Sequence, residues 1–165
     1  MFVLGIDPGL TRCGYGAVRR AGSSLRAEAA GVLATPASAP LPARLAELQR
    51  GIVSLLDELQ PDAVAVERVF FQSNVRTAMS VGQASGVVLA CAAARGCDVA
   101  EYTPTQVKSA VTGSGSAAKD QVQRMVTALL GLGAEPAPAD VFDALALAVC
   151  HLAAAPLQAR IQAAT

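Results

Sequence analysis

The sequence lacks the features of several protein classes. It contains no tryptophan, aromatic residues make up only 4% of the chain, and its longest uninterrupted apolar run covers only residues 87–94. A run of that length cannot cross the roughly 30 Å hydrocarbon core of a bilayer. The N-terminal MFVLGIDPG has neither a basic region nor a small-residue cleavage site, so it does not resemble a secretory signal. We therefore expect no membrane association and a cytoplasmic location.

Paired metal-binding cysteines are also missing. The four cysteines, Cys13, Cys91, Cys97 and Cys150, include no CxxC pair. Cys91 and Cys150 lie inside apolar helical runs, where a reduced cysteine packs as a small hydrophobic residue. The sequence predicts reduced, structural thiols. The single histidine, His151, lies on an alanine-rich helical run and is expected to be a packed or surface residue rather than a catalyst.

An excess of positive charge is absent as well. Thirteen basic and thirteen acidic residues give a net charge of zero, whereas proteins that bind phosphate usually carry surplus Lys and Arg. Acidic residues gathered at a metal site would be neutralised by cations, which would leave the remaining surface positive. The charge balance therefore does not exclude a nucleic-acid partner.

The composition and apolar periodicity predict one α/β domain. With 165 residues, 53% hydrophobic and 16% charged, the chain suits a single globular domain over 1–165, with a short tail from about residue 155 that we expect to be disordered. The expected strands are 2–7 and 13–19, which form a hairpin, then 25–35, 62–69 and 97–104. The expected helices are 42–60, 74–95, 104–111, 119–130 and 140–154. Strands in a hairpin, followed by strands alternating with helices, predict a mixed sheet.

One predicted helix carries a row of small residues. After the candidate N-cap Asn74, the residues Gly82, Gly86, Ala90 and Ala94 recur every fourth position along one face. This face would suit either close packing on the protein's own sheet or the approach of a helix from another subunit.

Two apolar strands each end in an acidic residue. Asp7 ends FVLGID and Glu67 ends AVAVE, and a carboxylate in such a place loses hydration and needs a partner. In open α/β sheets, ligands bind at the carboxyl ends of the strands. Both residues are therefore candidates for a functional site.

Two further acids open the last helix. Asp140 and Asp143 in PADVFDALALAV could be an N-cap and its capping-box partner. Their i, i+3 spacing also places both carboxylates on one face. Four carboxylates would repel one another without cations, and all-oxygen ligands suit Mg²⁺ or Mn²⁺. Two ions about 4 Å apart would support hydrolysis of a phosphodiester.

Six ordered segments resemble the RuvC family of Holliday junction resolvases. These segments are LGIDPGLTRCGYG, AVERVFF, GQASGV, TPTQVK, GSGSAAKDQV and PADVFDALALA. The resemblance implies a ribonuclease H-like, three-layer α/β fold with a mixed five-stranded sheet between helices. It also implies a homodimer that makes paired, Mg²⁺-dependent cuts in four-way DNA junctions during recombination and repair, leaving 5′ phosphates and 3′ hydroxyls.

The resemblance also assigns residues. The family's metal-binding acids fall on Asp7, Glu67, Asp140 and Asp143, where two Mg²⁺ ions, or Mn²⁺ in their place, would bind. Its catalytic and DNA-contacting lysines fall on Lys108 and Lys119. A branch-migration motor complex is a further expected partner.

The predicted DNA contacts include a pair of neighbouring aromatic residues. The family's aromatic falls on Phe70, and either Phe70 or the adjacent Phe71 could stack on an unpaired base while the other packs inward. Phe71 and Arg76 are further candidates that the family pattern does not require.

Two rival functions fit part of the sequence. The segment DPGLTRCGYG also suits the phosphate-binding hairpin of actin-like ATPases, although those enzymes use two domains around the nucleotide. A non-catalytic junction-binding protein would retain basic and aromatic contacts but would not need four acids.

Overall fold

The computed structural model describes residues 1–68, 75–133 and 137–162, with residues 75–77 and 156–162 described by their backbone only. The strands are β1 (Phe2–Asp7), β2 (Arg12–Ala21), β3 (Ser24–Ala34), β4 (Ala63–Glu67) and β5 (Asp98–Tyr102). The helices are α1 (Leu41–Leu59), α2 (Val75–Ala94), α3 (Pro104–Thr112), α4 (Lys119–Leu130) and α5 (Ala139–Gln162). The predicted order of elements is confirmed.

The five strands form one mixed sheet in the order β3-β2-β1-β4-β5. β1 pairs antiparallel with β2 and parallel with β4, so the predicted hairpin is confirmed. Ile6 lies beside Val66 in the parallel pair. Asp7 and Glu67, each one residue further on, therefore end neighbouring strands at the same edge of the sheet.

Helices cover both faces of this sheet because its central strands are apolar on both sides. Val3, Ala63 and Ala65 pack in a buried cluster with α3, α4 and α5. The alternate residues Leu4, Val64 and Val66 pack in a second cluster with α1 and α2. The period-2 alternation of side chains thus builds a three-layer domain.

Helix α5 lies close to β1 and β2 at two glycines. A β-carbon at Gly5 would overlap the carbonyl oxygen of Ala144 and lie 2.8 Å from the backbone nitrogen of Ala148. A β-carbon at Gly14 would overlap the carbonyl oxygen of Asp140. The absence of side chains at these positions allows the first turns of α5, which carry Asp140 and Asp143, to approach the end of β1.

The two ends of α5 differ from the sequence prediction. The helix begins at Ala139, so Asp140 lies inside the first turn rather than at the predicted N-cap. It also continues to Gln162, past the predicted end near Ala154. The extension contains Leu, Gln, Ala and Arg, which are good helix formers and favour continuation of the helix.

The row of small residues on α2 does not pack against the sheet. Gly82, Gly86, Ala90 and Ala94 are all exposed, and added β-carbons at the two glycines would meet nothing within 4 Å. Close packing on the protein's own sheet is therefore wrong for this face. The buried side of the helix carries Ala84 and Val88 instead.

The cysteines are reduced, as predicted. All four cysteines are free thiols, and three of them are buried. Among the helices of the described ranges, none combines the length and apolarity needed to cross a membrane.

His151 is a packed residue, as predicted. Its ring is buried, and its Nδ1 atom lies 2.9 Å from the hydroxyl oxygen of Tyr102, with which it forms a hydrogen bond. Burial lowers the pKa of His151, while the nearby Asp98 opposes that shift. The bond connects the end of β5 to α5 and satisfies a polar atom in the core.

Removal of the Tyr102 hydroxyl is expected to destabilise the fold. Tyr102→Phe leaves the His151 ring nitrogen buried without this partner, which should reduce the free energy of unfolding by about 1–3 kcal/mol. Urea denaturation measures the change, with Tyr15→Phe as the control that removes a hydroxyl outside this pair. Equal stability of Tyr102→Phe and the wild type would show that the bond contributes nothing.

Candidate active site

Three of the predicted acids line one cavity. It has a volume of about 280 Å³ and lies at the edge of the sheet where β1 and β4 end. Its polar lining consists of Asp7, Glu67, Asp143, Lys108 and Lys119. Residues from β1, β4, α3, α4 and α5 thus meet in one place.

Asp143 is paired with Lys119 at the mouth of this cavity. The Lys119 Nζ atom donates to Asp143 Oδ2 at 2.7 Å. This bond raises the pKa of Lys119, so the amine is charged at neutral pH. The two residues lie 24 positions apart in the sequence, so their pairing is a product of the fold.

Asp140 faces a different partner. The Nε and Nη2 atoms of Arg12 both donate to Asp140 Oδ2, at 2.9 and 2.8 Å. Asp140 is not among the residues that line the cavity, although it is close enough to influence Asp7 electrostatically. The structure therefore places it beside the other three acids rather than among them.

Asp7 is the acid most strongly affected by its surroundings. The pKa of Asp7 is raised to about 7, first by burial and then by the charges of Glu67, Asp143 and Asp140, against a lowering by Lys119. Burial and then Asp143 also raise the pKa of Glu67. The four acids therefore form one electrostatic group.

This group makes the stability of the metal-free protein depend on pH. The pKa of Asp7 is higher in the folded chain than its ordinary value of 3.8. Its contribution to the free energy of unfolding is therefore fully present below about pH 3.8 and is lost as the pH rises through about 7. We expect a loss of about 2–4 kcal/mol from this residue. Urea denaturation in EDTA between pH 4 and 8 measures this loss of stability. Asp7→Asn is the comparison, because it removes the carboxyl group that titrates. Parallel curves for the two proteins would contradict the expectation.

The donor set suits a hard divalent cation, but the side chains as they lie do not form a complete metal site. Within the described ranges, no group of three or more His, Cys, Asp or Glu side chains is arranged to hold an ion. Asp140 and Asp143 instead form ion pairs with the side chains of Arg12 and Lys119. Burial, and then the charges of the neighbouring carboxylates, raise the pKa of Asp7, and a divalent ion would offset those charges. The residue types therefore fit Mg²⁺ or Mn²⁺.

Several predicted DNA contacts are not described. Phe70 and Phe71 lie outside the described residues, and so does the predicted N-cap Asn74. Arg76 belongs to α2, and only its backbone is described. Lys108 is half-buried and faces the cavity.

Sequence reasoning missed Arg12 and the two close-packed glycines. Arg12 lies five residues after Asp7, at the start of β2, so its proximity to the first acid was visible, but its pairing with Asp140 across 128 positions was not. The glycines stand at strand positions where no turn requires them, which is a signal of close backbone approach.

A mixed sheet covered by helices on both faces is a ribonuclease H-like fold, and the acids at the ends of β1 and β4 suit a metal-dependent nuclease of that class. The family model described as crossover junction endodeoxyribonuclease RuvC matches residues 3–151. The chain belongs to the RuvC family.

Individual members of the family are similar to this chain over nearly its whole length. A crossover junction endodeoxyribonuclease RuvC from Streptomyces avermitilis is 58% identical and covers 98% of this chain and 93% of its own. The solved structure of T. thermophilus RuvC in complex with Holliday junction substrate matches with a TM-score of 0.90 and 39% identity, and 96% of each chain is covered.

Proposed function

We propose that this chain is a structure-specific endonuclease that resolves Holliday junctions by metal-dependent hydrolysis of phosphodiester bonds in recombination and repair. The observation that carries the proposal is the convergence of Asp7, Glu67 and Asp143 on one cavity in a member of the RuvC family. We further propose that residues 1–165 act as one nuclease domain.

The carboxylates would hold the metal. RuvC nucleases depend on divalent ions, and we propose Mg²⁺, replaceable by Mn²⁺, held by Asp7, Glu67 and Asp143 together with Asp140. When bound, two such ions would activate water and stabilise the leaving oxygen. Asp7, which ends the central strand β1, would be a principal ligand of these ions.

Lys108 and Lys119 would bind the scissile phosphate. Lys108 and Lys119 face the same cavity as the acids, so their ammonium groups can contact the scissile strand and offset the charge that develops on the phosphorus oxygens. Water attacks phosphorus and the bond to the 3′ oxygen breaks, which leaves a 5′ phosphate and a 3′ hydroxyl. The amine of Lys119 would move from Asp143 to the phosphate as the site fills.

Other DNA contacts remain proposals from the sequence. Phe70, or its neighbour Phe71, would stack on an unpaired base at the junction centre. Arg76, at the start of α2, would bind a backbone phosphate. A branch-migration motor complex is a proposed partner.

One experiment separates cutting from binding. Purified protein is incubated with a synthetic four-way junction and with linear duplex of the same sequence, each with and without Mg²⁺. We expect paired nicks in the junction only when Mg²⁺ is present, and nicks that a ligase can seal. Binding of the junction without nicks in Mg²⁺ or Mn²⁺ would favour the non-catalytic alternative.

Paired cuts in opposed strands require two sites, so we propose a homodimer. The exposed small residues Gly82, Gly86, Ala90 and Ala94 of α2 would allow close approach of a second copy, and Met79 beside them is 60% exposed. An apolar side chain this exposed gains from burial against a partner.

Gly86→Leu is expected to separate the subunits. A leucine would hold the two helices apart, and the dissociation constant should rise by about tenfold or more, in line with overpacking costs of 1–3 kcal/mol. Sedimentation velocity at micromolar concentration measures the change. Ala128→Leu, at an exposed position of α4, is the matched control, and unchanged sedimentation of Gly86→Leu would exclude this face.

A further inference from the structure

Arg12 makes two hydrogen bonds to one of the four acids. It is the first residue of β2 and reaches the first turn of α5. Its Nε and Nη2 atoms both donate to one carboxylate oxygen, Asp140 Oδ2, at 2.9 and 2.8 Å. The ion pair therefore occupies a ligand oxygen of the proposed metal site, on which this inference rests.

The fold does not need this ion pair for its stability. The side chains of Arg12 and Asp140 are 51% and 30% exposed, and ion pairs in such surroundings contribute little to folding. The pair between Arg95 and Asp57 is equally close at 2.7 Å and has no acid of the site near it. The distinctive property of the Arg12 pair is the identity of its acid.

Together with Lys119, Arg12 offsets part of the negative charge of the site. Arg12 and Lys119 each place a positive charge directly against one of these carboxylates, Asp140 and Asp143. The opposed charges allow carboxylates to stay close together without a bound ion. A divalent cation that takes Asp140 Oδ2 as a ligand competes with the guanidinium for that oxygen.

We propose that Arg12 is an internal counter-ion of Asp140 that competes with divalent cations, so that metal binding at this site is an exchange reaction. Arg12 is a positioning residue, since it holds the carboxylate in place and sets how tightly an ion binds. Its removal frees Asp140 Oδ2 and strengthens metal binding even though it removes an interaction.

The test uses Mn²⁺ alone with the full chain and no DNA. Bound Mn²⁺ is counted from the loss of the electron paramagnetic resonance signal of the free ion. We expect Arg12→Gln to bind Mn²⁺ about two- to fivefold more tightly than the wild type, the factor that an exposed ion pair contributes to an equilibrium. The matched control Arg95→Gln should bind as the wild type does.

A double-mutant cycle assigns the effect to Asp140. In an Asp140→Asn background, Arg12→Gln should no longer change the affinity for Mn²⁺. Equal or weaker binding by Arg12→Gln in the native background, with circular dichroism showing a native fold, would overturn the role of Arg12 while leaving the metal site intact. A wild type that binds no Mn²⁺ would overturn the proposed site itself, and the exchange with it.

Discussion

Asp7→Asn is expected to reduce cutting of a four-way junction by about 10³-fold or more, because it removes the central ligand of a site that lowers the reaction barrier by several kcal/mol. Asn keeps the shape of the side chain but cannot supply a carboxylate. Junction binding should change little, since most DNA affinity comes from basic and aromatic contacts elsewhere. Single-turnover cleavage and a gel-shift titration measure the two properties separately.

Asp57→Asn is the matched control for this substitution. Asp57 lies on α1, is 60% exposed and pairs with Arg95, so the same chemical change there should leave cutting unaltered. Cleavage by Asp7→Asn at the rate of Asp57→Asn would contradict the assignment of Asp7.

Gly5→Ala is expected to reduce the free energy of unfolding by about 3 kcal/mol or more. The new methyl group would overlap the carbonyl oxygen of Ala144, which is backbone and cannot rotate away. Helix α5 would have to move away from β1. Asp143, which directly precedes Ala144 in this helix, would move with it. Cutting should fall together with stability in urea denaturation and cleavage assays.

Gly133→Ala is the matched control, because an added β-carbon there would meet nothing within 4 Å. It should change stability by no more than about 0.5 kcal/mol, as surface substitutions usually do. If Gly5→Ala were as stable as Gly133→Ala, α5 would not rest on β1 as described.

Local patterns predicted much of the fold and the residue types of the site. The apolar runs of β1 and β4 are short and buried on both faces, so their ends were identifiable, and with them Asp7 and Glu67. Lys119 was predicted to begin a helix and does begin α4. These features depend on residues close together in the sequence.

Long-range pairings could not be predicted in the same way. The contact of Arg12 with Asp140 spans 128 positions and that of Lys119 with Asp143 spans 24, and no periodicity records either. The direction of the small-residue face on α2 was likewise undecided, because glycine and alanine suit both a packed and an exposed face until the neighbouring elements are known. The predicted end of α5 near residue 154 was too early, because good helix formers continue the helix to Gln162.

The most direct test of the account is the anomalous scattering of crystals soaked in Mn²⁺. We expect one or two strong anomalous peaks beside the Asp7 carboxylate, with Glu67 and Asp143 as further ligands. The Arg12 side chain should be turned away from Asp140. A map with no peak at Asp7, or with Mn²⁺ bound only elsewhere on the protein, would contradict the claim that these carboxylates form a metal-dependent nuclease site.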